Sequence, residues 1–510
     1  MKIPFLITSL SIISFTSATA EVSMPSFFSD GMVLQQKSTA LLWGWAESGE
    51  KVSVNFLNQN TTATTNADGK WSIELKNLQA SDQGKDLTIK VGDDTKVIKN
   101  VLVGEVWIAS GQSNMEWTIL KTKDTKTYNT AKDNLLRVYV SKNLTASEEL
   151  KDFPGNWLAT KPGNTQNFTG VGYHFARSLR EKLNVPVGII ECAWGGKRIE
   201  PFISDTSMKQ AKDLQYLVQI KEKEVKNYTP EDAKKQFDKA MENWTKKNEN
   251  WQKTKTGPRP RKPKMRIPPL ERPTLHSTIY NGMIAPIAGY SAKGIIWYQG
   301  ESNAGDQSAN DYGKLLKLLI KDWSKQWGTD LSCYYVQLAN YGDFKREGWL
   351  VIQDEMRRLL DDPEMSNSNI GMAVINDIGA IKNIHPSNKK DVGDRLARWA
   401  LSKDYGIKDT VISGPLYKNH QIKGSTIEIE FAHSKGLKTR DNQSPGAFEL
   451  LDSNNKWLPA KAEIKNGLII VSHDKIESPT QVRYAWHVTA QGANLVNAEG
   501  LPTSCFTTKR

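Results

Sequence analysis

Five short, almost uninterrupted apolar runs set the architecture of the middle of this chain. They are Val106-Trp107-Ile108-Ala109, Val185-Pro186-Val187-Gly188-Ile189-Ile190, Gly294-Ile295-Ile296-Trp297-Tyr298, Tyr334-Tyr335-Val336-Gln337-Leu338 and Gly371-Met372-Ala373-Val374-Ile375. Helical patterns lie between them. From Tyr173 to Leu183, for example, Phe175, Leu179 and Leu183 recur at four-residue intervals. A strand apolar on both sides must be covered on both sides, and parallel neighbours need helical crossovers. The pattern predicts an α/β region over residues 104–404, a doubly wound parallel sheet with helices on both faces.

The flanks read differently. Residues 21–103 hold short alternating runs such as Lys51-Val52-Ser53-Val54-Asn55-Phe56 and Trp71-Ser72-Ile73-Glu74-Leu75, punctuated by turn residues. An N-terminal β-sandwich is expected there. Residues 405–510 return to β, with Thr426-Ile427-Glu428-Ile429-Glu430-Phe431 alternating cleanly, and form an expected C-terminal β domain. Residues 205–275 interrupt the β/α rhythm. Glu231 to Lys255 carries a helical stripe of Phe237, Met241, Trp244 and Trp251, followed by the proline-rich Gly257-Pro258-Arg259-Pro260-Arg261-Lys262-Pro263. This reads as an insertion, by default a solvated decoration, with substrate-loop support or partner docking as alternatives.

Residues 1–20 read as a secretory signal peptide: Lys2, an apolar run from Ile3 to Phe15, then Ala18-Thr19-Ala20 as a small-x-small cleavage site. Export to the periplasm or the medium is the expectation. No other segment is long and apolar enough to span a bilayer. The three cysteines, Cys192, Cys333 and Cys505, are too few for a disulfide framework and lack metal-ligand spacing. The formal net charge of +12 is concentrated in residues 205–275, which carry 18 Lys/Arg against 10 Asp/Glu. Such a local excess, without a recognisable nucleic-acid module, argues against a nucleic-acid partner.

The chemistry centres on Gly111-Gln112-Ser113-Asn114-Met115-Glu116-Trp117, where an apolar strand ends in small residues and a helix-competent segment begins. A serine at such a junction offers a hydroxyl nucleophile and its own N–H as an oxyanion donor. It needs a base, usually histidine. Of seven histidines, His385 follows the loop after the fifth apolar run and precedes a helix striped by Val392, Leu396 and Trp399. Loops at the carboxyl ends of parallel strands converge on one crevice, so Ser113 and His385 are expected to meet. Trp194-Gly195-Gly196 and Trp297-Tyr298-Gln299-Gly300-Glu301-Ser302-Asn303 end at the same sheet edge and offer backbone or amide donors. Met115 stands where an α/β-hydrolase elbow would have its second glycine. No metal, phosphate or dinucleotide motif appears.

Five motifs in order, Gly-Gln-Ser113-Asn-Met-Glu-Trp, Val-Pro-Val-Gly-Ile-Ile with Trp194-Gly-Gly, Asn281-Gly-Met-Ile-Ala-Pro, Trp-Tyr-Gln299-Gly-Glu-Ser-Asn and Ile-His385-Pro, resemble the sialate O-acetylesterase group. These are carbohydrate esterases of the SGNH (GDSL-like) hydrolase superfamily. The resemblance implies Ser113 as nucleophile and His385 as general base, with Gly196 and either Gln299 or Asn303 lining the oxyanion hole. It implies Asn114 and Glu301 as further substrate-binding candidates, an acetylated carbohydrate as the partner, and no cofactor. Two departures stand out. Asn383 occupies the place where many relatives have an aspartate, leaving either a Ser-His dyad or a triad completed by another acid such as Asp377. Lys197-Arg198 follow the glycines in place of the usual threonine and face either an acidic sugar or water. The alternatives are a catalytically silent glycan-binding protein on the same fold, or an esterase for xylan, another plant polysaccharide or an exopolysaccharide.

Overall fold

A computed structural model describes residues 22–342 and 347–509; the expected signal peptide, residues 1–20, lies outside them. Seven strands build the central sheet: β1 (Asp94–Gly111), β2 (Asp133–Ser141), β3 (Gly155–Thr160), β4 (Val187–Ala193), β5 (Gly294–Tyr298), β6 (Ser332–Val336) and β7 (Ile370–Ala373). Their spatial order is β7-β6-β5-β1-β4-β2-β3. Neighbours run parallel except β3, which closes the edge antiparallel to β2.

Five helices matter here: α1 (Ser113–Glu116), α2 (Gly170–Leu183), α3 (Pro230–Thr254), α4 (Tyr312–Trp327) and α5 (Lys389–Lys403). Register places Tyr334, Ile296 and Ala109 in one row, so these side chains share a face, and Trp107 two residues away shares it too. On that face Trp107 meets Phe175 of α2 at 5.0 Å and Tyr334 meets Trp399 of α5 at 6.4 Å. Trp297, one residue out of step, points to the opposite face and meets Trp323 of α4 at 6.4 Å. The helices therefore cover both faces of a mixed but mainly parallel sheet, as the apolar strands require.

β1 is the long beam of the molecule. Its first half pairs with strands of residues 22–91, and its second half lies between β5 and β4. The residue 103/104 boundary expected from the sequence thus falls inside one 18-residue strand. Residues from Val22 to Leu416 share one hydrophobic core. Ile427 to Phe506 build a second, smaller one from antiparallel strands. In the 205–275 segment, α3 is followed by the proline-rich stretch, which returns alongside it: Trp244 Nε1 donates to the Pro260 carbonyl (3.0 Å) and Trp251 Nε1 to that of Gly257 (2.9 Å). The three cysteines are buried and unpaired. No helix among the described residues is long and apolar enough to cross a membrane.

The sheet's carboxyl edge is level where the chemistry sits. Gly111 pairs with both Ala193 and Tyr298, so three loops leave from one row. Gly111 has φ +135°, and a Cβ there would lie 2.2 Å from the Tyr298 carbonyl oxygen, which excludes every other residue.

Candidate active site

Ser113 is the first residue of α1, preceded by Gln112 in extended conformation. The turn is tied on every side. Gln112 N–H donates to the Tyr298 carbonyl (2.9 Å), Trp194 N–H donates to the Gly111 carbonyl (3.0 Å), and the Thr169 hydroxyl, N-cap of α2, donates to the Met115 carbonyl (2.6 Å). The Glu116 carboxylate accepts from Gly195 N–H (2.9 Å). That bond seats Gly195 so tightly that a Cβ on it would lie 3.3 Å from Ser113 Cβ. Neither Ser113 N–H nor Gly196 N–H has a hydrogen-bond partner among the described residues.

His385 arrives from the loop after β7. Its Nε2 lies 2.8 Å from Ser113 Oγ. The loop is anchored by the N-cap of α5, where Asn388 accepts from Asp391 N–H (3.1 Å), and by Asn114 Nδ2, which donates to the Ile384 carbonyl (3.0 Å). Trp117 stacks on the imidazole, with ring centroids 4.3 Å apart and planes 13° from parallel. Burial holds the imidazole below its usual 6.5, and the nearby Lys389 and Lys121 push the same way. The ring is neutral at pH 7 and able to take a proton from a hydroxyl.

The expected helpers are placed differently from one another. Asp377 is engaged elsewhere: its two oxygens accept from the Arg395 guanidinium at 2.6 and 2.8 Å. Among the described residues no hydrogen bond joins it to His385. Asn383 Oδ1 accepts the backbone N–H of His385 (3.0 Å), so this amide shapes the loop and does not hold the ring. Gln299 is fully buried, and its Nε2 faces three acceptors, Gln112 Oε1 (3.0 Å), the Lys197 carbonyl (3.1 Å) and Asn303 Oδ1 (2.9 Å). Two N–H bonds shared among three acceptors leave none for a substrate. Asn303 Nδ2 is equally committed, to both Glu200 oxygens (3.2 Å each) and Ser308 Oγ (3.1 Å). The two amides between which the sequence could not decide are both braces of the loop floor.

Two residues gain a definite place. Arg198 is neutralised, bonded to Glu200 (2.8 Å), Ser308 (2.6 Å) and Asp306. Lys197 forms no ion pair among the described residues, although the Glu116 carboxylate attracts it from beyond contact; its ammonium lies 5.4 Å from the Trp194 ring centroid. It lines an open cleft of about 860 Å³ together with Gly196, Glu301, Ser302 and the 304–310 loop. Asn114 and Glu301 bond to each other (2.5 Å), and Asn114 Oδ1 accepts from Lys389 Nζ (2.5 Å). Lys389 is absent from the sequence reading, because a lysine in the first turn of an amphipathic helix is ordinarily solvated; here it is 1% exposed.

A family profile described as "Carbohydrate esterase, sialic acid-specific acetylesterase" matches residues 103–228 and 240–401, more than half of the chain. The chain belongs to this family. It is a carboxylic ester hydrolase, and the family match spans the strands and loops that deliver Ser113, Gly196 and His385. The mouse sialate O-acetylesterase is 27% identical, over 94% of this chain and 92% of the relative. The human sialate O-acetylesterase is 25% identical over 90% and 87%. The crystal structure of a carbohydrate acetylesterase from Xanthomonas citri superposes with a TM-score of 0.79 and 29% identity, covering 96% of this chain and 99% of that one. These similarities run over nine-tenths or more of the chain, and so extend beyond the 103–401 region into both β flanks.

One consequence for this esterase is a shifted acid limb. Because the folded site depresses the basicity of His385, the neutral imidazole persists below pH 6.5. Protonation of the ring sets in only as pH falls through that lower value, and an activity that needs the neutral ring follows it. A pH profile of kcat/KM is expected to have its acid midpoint below 6.5. Trp117→Ala, which bares one face of the ring to water, moves that midpoint upward.

Proposed function

We propose that the chain is an exported serine esterase that removes O-acetyl groups from sialic acid through an acetyl-serine intermediate. The observation that carries this reading is the 2.8 Å contact of Ser113 Oγ with His385 Nε2. Ser113 Oγ attacks the acetyl carbonyl carbon while His385 Nε2 takes its proton. The carbonyl oxygen becomes an oxyanion facing the two unpaired N–H groups, those of Ser113 and Gly196. The tetrahedral intermediate collapses as His385 returns the proton to the departing sugar oxygen. The alcohol leaves and the acetyl group stays on Ser113. Water, deprotonated by His385, then attacks the acetyl carbon; as the acetyl–Oγ bond breaks, His385 gives that proton to Ser113 Oγ, acetate is released and the serine is restored. Ser113 and His385 form a dyad here, with the ring oriented by the Trp117 stack and by the backbone of its loop. The signal-like residues 1–20 support export.

Lys197 supports an acidic sugar. It is a cation without an ion-pair partner among the described residues, on the lip of the cleft next to Gly196. A sugar carboxylate there would gain a charged hydrogen bond, worth about 1.5–3 kcal/mol. Acetate release from O-acetylated sialic acids and from neutral acetylated xylo-oligosaccharides tests this. The expected result is a preference for the sialic acids, and a loss of about tenfold or more in kcat/KM on them alone in Lys197→Met. Turnover of the neutral oligosaccharides by the wild type as fast as or faster than that of the sialic acids, with Lys197→Met unchanged on both, would reassign the enzyme to plant or bacterial polysaccharides.

A further inference from the structure

The floor beneath the Ser113–His385 pair is built from three polar side chains that the reaction as described does not use. Asn114 is at the centre. Its Nδ2 donates to Glu301 Oε1 (2.5 Å) and to the Ile384 carbonyl (3.0 Å), and its Oδ1 accepts from Lys389 Nζ (2.5 Å). One carboxamide therefore joins four segments: the turn of Ser113, the loop after β5, the loop of His385, and the first turn of α5. All three side chains are buried, Asn114 and Lys389 at 1% exposure and Glu301 at 6%. Lys389 makes no ion pair among the described residues, and Glu301 Oε2 has no hydrogen-bond partner there. The amino group and the carboxyl thus meet only across the amide. Burying a lysine and a glutamate without direct contact is costly, and apolar side chains of similar size would fill the space more cheaply.

We infer that Lys389, acting through the Asn114 carboxamide, is a positioning residue that locks the His385 loop onto the Ser113 turn. This rests on the reading of Ser113 and His385 as nucleophile and base. The geometry gives the clamp a specific task. Among the described residues no carboxylate hydrogen-bonds the His385 ring, so the carboxylate that orients the imidazole in a triad is not in place. The ring's position is set instead by the Trp117 stack on its face and by the carbonyl of the preceding residue, Ile384, which Asn114 grips. The charged groups that face the imidazole are Lys389 from α5 and Lys121 from the segment after Trp117; Glu301 faces Lys389. Burial presses Lys389 down to about 7, opposed by Glu301. Whatever charge Lys389 carries disfavours imidazolium and keeps the resting ring neutral.

The test uses the full chain and three readouts: kcat and KM for acetate release, the acid limb of the kcat/KM profile, and thermal unfolding to confirm the fold. In Lys389→Met the clamp is cut and the cation removed. Expected are a fall in kcat of about 10- to 100-fold with KM essentially unchanged, since a small misplacement of the base is costly, and an acid midpoint moved upward. Lys389→Gln keeps a donor for Asn114 Oδ1 without the cation. It is expected to shift the same midpoint upward while keeping more of kcat, and it decides the matter if Lys389→Met does not fold. A folded variant with the wild-type kcat and the wild-type midpoint would overturn the inference. Ser113→Ala runs as the control. If that variant still turns over, the assignment of the nucleophile fails; if it is silent while both Lys389 variants behave as wild type, the clamp alone fails.

Discussion

Ser113→Ala is expected to abolish acetate release, with kcat falling on the order of 10⁴- to 10⁶-fold, the loss that follows when a serine hydrolase is stripped of its nucleophile. The size follows from the geometry. Only the Ser113 hydroxyl lies within hydrogen-bond reach of His385 Nε2 among the described residues, so no neighbouring oxygen can take over the attack. The substitution removes one oxygen from a half-buried residue and leaves the backbone ties of the turn intact, so thermal stability is expected to be unchanged. Acetate assay and labelling by a serine-reactive fluorophosphonate check the two halves of the statement. Wild type takes up one label; Ser113→Ala takes up none. Undiminished turnover by the alanine variant would remove the serine mechanism altogether.

Loss of His385 is the second large effect. His385→Ala leaves Ser113 a weak nucleophile, since an alcohol without a base is almost wholly protonated at neutral pH. A fall in kcat comparable to that of Ser113→Ala is expected, and the double variant should lose no more than either single one, because nucleophile and base act as one unit. Fluorophosphonate labelling slows in parallel, as it too needs the deprotonated oxygen. Because no carboxylate hydrogen-bonds the ring among the described residues, this comparison is informative: the full effect is expected from two residues. Additive losses in the double variant would show that Ser113 and His385 do not work on the same step.

The parts of this site that rest on strand order were legible in the sequence. Apolar strand ends before Ser113 and Gly195, and a loop leading to His385, suffice to place all three over one crevice. The parts that rest on hydrogen-bond partners were not. Gln299 and Asn303 have the residue type an oxyanion hole would use, but the Lys197 carbonyl and Glu200 take up their N–H groups, and those partners come from a segment about a hundred residues earlier. Asp377 carried the right charge at the right loop, and only the fold reveals that Arg395 claims both its oxygens. Lys389 illustrates the reverse case. Its spacing in α5 marks it as a surface residue, and its burial becomes visible only once Asn114 and Tyr298 are brought over it. The flanking β regions were legible as strands, from alternation and turn residues. The continuity of β1 was not, because the strand changes partners without breaking.

That continuity has a consequence for how such a protein can change. A module hung on a linker can be shed or exchanged at little cost to its neighbour. Here the strand that ends at the nucleophile begins among the pairings of the N-terminal region, and both share one core. Removing the first ninety residues would unzip the upstream half of the very rod that presents Ser113. In this chain the surface loops and the 205–275 excursion stand outside that beam, while the N-terminal portion and the strand leading to Ser113 are mechanically one piece.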